Sequence, residues 1–176
     1  MRGLGGSGLC LGLPVLAAFT LSPSTARAAE ATHLRTALEK QGERRALGHA
    51  LEGAARRLGR PICQRIFQDF KDASGRTLQE GLDDVGQSGA NFIKDWLFFA
   101  DGRDERECRD ARVLAFTQPG SRSVWICGRN FQREQWRDPA HAEVVLIHEV
   151  LHTLGLGENP PSSEAISRQV VARCGG

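Results

Sequence analysis

His148-Glu149-Val150-Leu151-His152 is the segment of this chain whose residue types and spacing could do chemistry. Two histidines four residues apart on a helix project from one face a turn apart, so both can turn a ring nitrogen to the same cation. Glu149, next to the first histidine, falls toward the open side of such a site, where a carboxylate works on water and does not serve as a ligand. Gly155 suits a left-handed residue that ends a helix and turns the chain. That turn can swing Glu158 back toward the histidine pair. Two histidines and one carboxylate, with water in the fourth place, form a recurrent catalytic Zn2+ set, here His148, His152 and Glu158. Glu164 is the alternative third ligand, although the dipole of a following helix explains an acidic residue in its first turn without any metal.

The elements that must position these residues can be read around them. Asp138-Pro139 supplies a capping acceptor and a first-turn proline, and the nearly continuous apolar run from Ala140 to Leu154 predicts a buried helix. Polar groups inside such a helix cost several kcal/mol unless partnered, so the motif needs a reason to be there. Ser162 or Ser163 caps a further helix to Arg173. His141 reads as a first-turn surface residue, with an approach to substrate as the alternative; Trp125, Trp136 and Phe131 read as core or rim packing, with a substrate cleft as the alternative. Upstream, Arg112 to Thr117 and Ser123 to Cys127 are short β-rich runs around Pro119-Gly120, which predicts a hairpin in which Thr117 faces Arg122. The run from His33 to Arg60 predicts one or two amphipathic helices, closed by Gly59 and Pro61. Ile62 to Phe70 is expected as a strand, Leu78 to Val85 as a short helix between loops, and Phe92 to Ala100 as a buried strand.

The spacing His-Glu-x-x-His-x-x-Gly-x-x-Glu over residues 148–158 resembles the extended motif of the metzincin clan of zinc peptidases, whose last position holds His or Asp where this chain has Glu158. The order of hairpin, cysteine, aromatic residue, short loop and helix from Ala115 through Phe131 also looks like the fungal deuterolysin-type zinc peptidases, whose aspartate ligand motif is not present here. Together these resemblances cover about 111–158. They imply an α+β, zincin-like domain with a small mixed sheet, a hairpin and a buried active-site helix. They further imply zinc on His148, His152 and Glu158, a peptide or protein substrate, and Glu149 as general base toward the metal's water. Val124 to Ile126 is then the counterpart of the edge strand that pairs with extended substrate. Two departures stand out: the only methionine is Met1, so the clan's methionine turn is missing, and the chain has no tyrosine to steady an oxyanion. The competing reading from another class is a secreted, non-catalytic zinc-binding interaction domain; a disulfide-stapled domain with no metal is a third.

Compartment and composition bound these readings. Arg2, the apolar run Leu9 to Leu21 and Ala26-Arg27-Ala28 have the pattern of a signal peptide over 1–28, so the expected product is one domain over 29–176, exported to the periplasm or the medium. Gly12 and Pro14 break the apolar run, which argues against a retained anchor and stable membrane association. Without Arg2 and Arg27, the 23 basic residues balance the 21 acidic ones, leaving no charge excess to attract nucleic acid. Cys63, Cys108, Cys127 and Cys174 remain, an even count that predicts two disulfides with three possible pairings. Oligomeric state is not legible, and a prosegment within 29–60 is left open.

Overall fold

The computed structural model describes residues 34–175; the expected signal peptide, Cys10 included, lies outside them. In chain order the elements are α1 (Gln41–Leu58), α2 (Pro61–Gln64), α3 (Ile66–Asp69), α4 (Leu78–Asp84), α5 (Gly89–Asn91), a π-helical turn (Phe92–Trp96), β1 (Phe98–Asp101), a 3-10 turn (Glu107–Arg109), β2 (Ala115–Thr117), β3 (Ser123–Ile126), α6 (Gly128–Arg137), α7 (Pro139–Thr153) and α8 (Ser163–Cys174). This is an α+β arrangement of helices around a three-stranded sheet.

The helix that carries the two histidines, α7, sits in the middle. It packs against α1, α6, α8 and β2, and its Leu146, Ile147, Val150 and Leu151 are at most 1% exposed. α1 presents Leu47, Ala50, Leu51, Ala54 and Leu58 to the core at the spacing an amphipathic helix requires. Across this contact the Arg57 guanidinium pairs with Glu143 of α7, and Gly53 makes room, since a Cβ there would overlap the Glu143 carboxylate.

Two expected strands are corrected. Ile62 to Phe70 is helical: Pro61 opens α2, and the buried set is Cys63, Ile66 and Phe67, a three-and-four spacing that winds a helix, while Ile62 is 48% exposed. Phe92 to Ala100 is a strand only from Phe98 onward. Ahead of it the Ser88 hydroxyl accepts from Asn91 N–H, starting a helical segment that carries Phe92 and Ile93 into the core. Short apolar runs of this kind fit either element, and capping decides.

The sheet order is β1-β3-β2, with β1 parallel and β2 antiparallel to β3. The hairpin forms, but Thr117 faces Val124 and not Arg122. Ser121 N–H donates to Gln118 C=O with Pro119 between them and Gly120 at φ +77°, as a Pro-Gly turn demands. The loop is wider than a minimal hairpin because Gly120 N–H donates at 2.9 Å to the His152 carbonyl, tying the turn to the end of α7. The register shift is two residues, so each side chain keeps its face. A further correction concerns Val124 to Ile126, which is the central strand and not an edge. The far side of β1 is covered by the segment around Thr36, through Ala37 N–H to Phe99 C=O and Phe99 N–H to Arg35 C=O. Among the described residues, β2 is left as the open edge.

The disulfides join Cys63 to Cys174 and Cys108 to Cys127. The first pins α2 to the end of α8; the second joins the loop after β1 to the N-terminus of α6. No helix of the described residues is long and apolar enough to cross a membrane.

Candidate metal centre

Asp138 accepts from His141 N–H and Pro139 occupies the first turn of α7, as the sequence suggests. At the other end the helix closes in a Schellman arrangement, with Gly155 N–H donating to His152 C=O and Leu156 N–H to Leu151 C=O. Gly155 is at φ +100°, which an L side chain rarely tolerates. That turn buries Leu156 and aims its carbonyl at His152, whose Nδ1 donates to it at 2.7 Å. A carbonyl can only accept, so Nδ1 carries a proton, and in the neutral tautomer this fixes, Nε2 is the nitrogen left to bind a metal.

His148 Nε2 lies 2.9 Å from His152 Nε2. Its Nδ1 is 3.0 Å from the Ser167 hydroxyl of α8, which can donate or accept. Two imidazole nitrogens turned on each other at this distance need a proton or a cation between them. Glu158 closes the third side, with Oε1 at 3.3 Å from His152 Nε2 and 3.8 Å from His148 Nε2. The three are the group of the described residues able to hold a metal ion, with donor atoms all within 4.8 Å of one another. Tetrahedral zinc with bonds near 2.0–2.1 Å sets neighbouring donors about 3.3 Å apart. The triangle of 2.9, 3.3 and 3.8 Å suits that, and the donor set of two nitrogens and one oxygen suits zinc chemistry.

Burial, and then the neighbouring His152, pull the His148 pKa down to about 4, so its ring is neutral and able to bind metal at neutral pH. Burial, and then the charge of Glu158, push Glu149 up to about 8. Glu149 is 7% exposed and faces a cleft of about 340 Å³ shared with the three donors and walled by Ala115, Phe116, Thr117, Pro119 and Ser163. A divalent cation in the cleft favours the ionised carboxylate and so opposes that rise.

The remaining candidates fall elsewhere. Glu164 is exposed and pairs with Arg168 on its own helix, away from the donor triangle. His141 is bound to the buried Glu134 carboxylate of α6 at 2.7 Å. Phe131 is core, Trp136 is 75% exposed and Trp125 is half-buried on the sheet. A larger cavity of about 520 Å³ lies beside the Cys108–Cys127 bridge, lined by Arg103, Arg109, Arg129 and Arg133, and holds none of these groups. Three contributors escape a sequence reading: the Ser167 hydroxyl, the Leu156 carbonyl and the Phe116 wall. Ser167 carries no local signal, because it reaches His148 only through the docking of α8. The Leu156 carbonyl carries no signal either: the Schellman turn at Gly155 fixes the bond from Leu156 N–H to Leu151 C=O, and the contact of the Leu156 carbonyl with His152 is a further one. No family model matches this chain, no curated protein is significantly similar to it, and no solved structure matches it, so the reading of this centre rests on its own residues.

Proposed function

We propose that this chain is an exported zinc-dependent endopeptidase in which His148, His152 and Glu158 hold the ion and Glu149 carries the proton. One observation supports the reading above the others: a buried carboxylate stands beside a closed His-His-Glu donor triangle, in a cleft bordered by an open sheet edge. Zinc held by His148, His152 and Glu158 would supply Lewis acidity and make hydroxide available near neutral pH. Glu149 takes a proton from the attacking water and returns it to the leaving amine as the peptide bond breaks. Ser167 and the Leu156 carbonyl keep the two rings oriented, the role such outer contacts play at metal sites. The edge of β2, not Val124 to Ile126, is the surface along which an extended peptide would add as a strand. Two disulfides are in keeping with an oxidising compartment, periplasmic or extracellular.

The second reading is a secreted zinc-binding interaction domain without turnover. It is favoured by the cleft wall, which has no tyrosine and whose Thr117 hydroxyl already donates to the Ser123 carbonyl, leaving Ser163 as the lining hydroxyl with no such role.

The experiment is zinc stoichiometry measured together with chelator-sensitive hydrolysis of a broad peptide library, on wild type and Glu149→Gln. The expected variant keeps its zinc and thermal stability and loses a hundredfold or more in rate, about the contribution of general acid-base assistance. A variant with full rate would sink the mechanism. Wild type with stoichiometric zinc and no hydrolysis would establish the second reading.

A further inference from the structure

The open edge of β2 joins the metal cleft to the outer face of the sheet, and that face is aromatic. Register places Phe116 beside Trp125 and Trp125 beside Ala100, opposite the inner face where Phe99, Val124 and Ile126 are at most 1% exposed. Phe116 and Trp125 stack with ring centroids 5.6 Å apart and planes 11° from parallel, and both stay half-buried. Phe98, 37% exposed, continues the face on β1. Phe116 is also a wall of the metal cleft, so the aromatic surface and the site are continuous.

The hydrogen-bond pattern says which part of a docked strand would meet these rings. Cys127 N–H donates to Leu114 C=O at 2.9 Å, which makes Leu114 and Cys127 a hydrogen-bonded pair. Two residues on, Phe116 and Trp125 form the next such pair, so the backbone groups of Ala115 and Thr117 turn away from β3 to the free edge. A peptide strand on that edge would hydrogen-bond to Ala115 and Thr117 and set one residue opposite Phe116. Residues so paired lie about 4.5 Å apart at Cα, with side chains on one face. The side chain opposite Phe116 therefore lands on the outer face, against the Phe116 ring with Trp125 behind it.

We propose that Phe116 and Trp125 form a subsite for one large apolar or aromatic side chain of the peptide, and so select peptides carrying such a residue at a fixed distance from the bond that is cut. For turnover this rests on the peptidase reading; for binding it does not. A purely structural role, stacking β2 onto β3, would lower stability on mutation without changing which peptides are chosen.

The test has two arms. A randomised peptide library is digested by zinc-loaded wild type, Phe116→Thr and Trp125→Ala; the first substitution keeps a strand-forming residue, and misfolding of one variant leaves the other. The same library is panned on Glu149→Gln and on Glu149→Gln with Trp125→Ala, which reads binding without turnover. The expected result is about a tenfold enrichment of aromatic and large aliphatic residues at one position, falling to near onefold in the variants while cleavage continues. Enrichment in panning with no cleavage by wild type would uphold the subsite and remove the peptidase reading. Absence of such a preference in both arms, or its survival in a folded variant, overturns the proposal.

Discussion

His152 Nδ1 reaches the Leu156 carbonyl because Gly155 can hold φ +100° and close α7 tightly. The tautomer that turns Nε2 to the metal side is thus set by a backbone turn that brings in a carbonyl four residues away, and a neutral His148 completes the pair. These contacts rank the residues by their effect on metal affinity. His152→Ala is expected to abolish stoichiometric zinc, because a ligand is removed outright. Glu158→Ala is expected to weaken zinc strongly, and Ser167→Ala by about 10-fold to 100-fold, the usual cost of losing an outer partner of a ligating histidine. Glu164→Ala, an exposed residue paired with Arg168, is expected to leave affinity unchanged. Competition against a chromophoric chelator measures all four; a larger loss from Glu164→Ala than from Glu158→Ala would reassign the third ligand.

At the scale of elements, α7 can hold buried polar groups because four neighbours enclose the rest of it. α1 matters most here, since Leu47, Ala50 and Leu58 have no exposed surface and Arg57 meets the α7 residue Glu143. A removable prosegment that included α1 therefore conflicts with the packing, because the apolar face of Gln41–Leu58 lies in the core. A chain starting at Pro61 would expose the apolar face of α7, and burial of each large aliphatic side chain contributes about 1.5–3 kcal/mol. The expected outcome is loss of cooperative unfolding by circular dichroism and loss of stoichiometric zinc; a truncated protein that melts cooperatively and binds zinc would contradict the role assigned to α1.

For the whole molecule, the two disulfides close loops of very different size, with sequence separations of 111 and 19. The chain-entropy relation assigns about 5 kcal/mol to the long loop and about 3 kcal/mol to the short one, as limits on the destabilisation from losing each. Paired Cys63→Ser and Cys174→Ser substitutions are therefore expected to lower unfolding free energy more than paired Cys108→Ser and Cys127→Ser, by denaturant titration. The long bridge also docks the helix bearing Ser167, so its loss is expected to weaken zinc binding as well. Equal effects on stability would show that the folded-state contacts around each bridge outweigh loop entropy.

What the sequence by itself determined is local: the cap at Asp138, the helix through both histidines, the turns at Gly120 and Gly155, and the likeness of residues 148–158 to a zinc peptidase motif. Each depends on residues close together along the chain, where local geometry leaves few choices. Of the two expected strands, Ile62 to Phe70 is helical and Phe92 to Ala100 is a strand only at its end, because an apolar run of about nine residues satisfies either periodicity until its caps and burial decide. Only the tertiary structure decided that β3 is central and β2 open, that Cys63 pairs with Cys174, and that Ser167 meets His148. Those pairings join residues between 19 and 111 positions apart, and they follow from how the elements bury their apolar faces against one another, which no short stretch of sequence encodes.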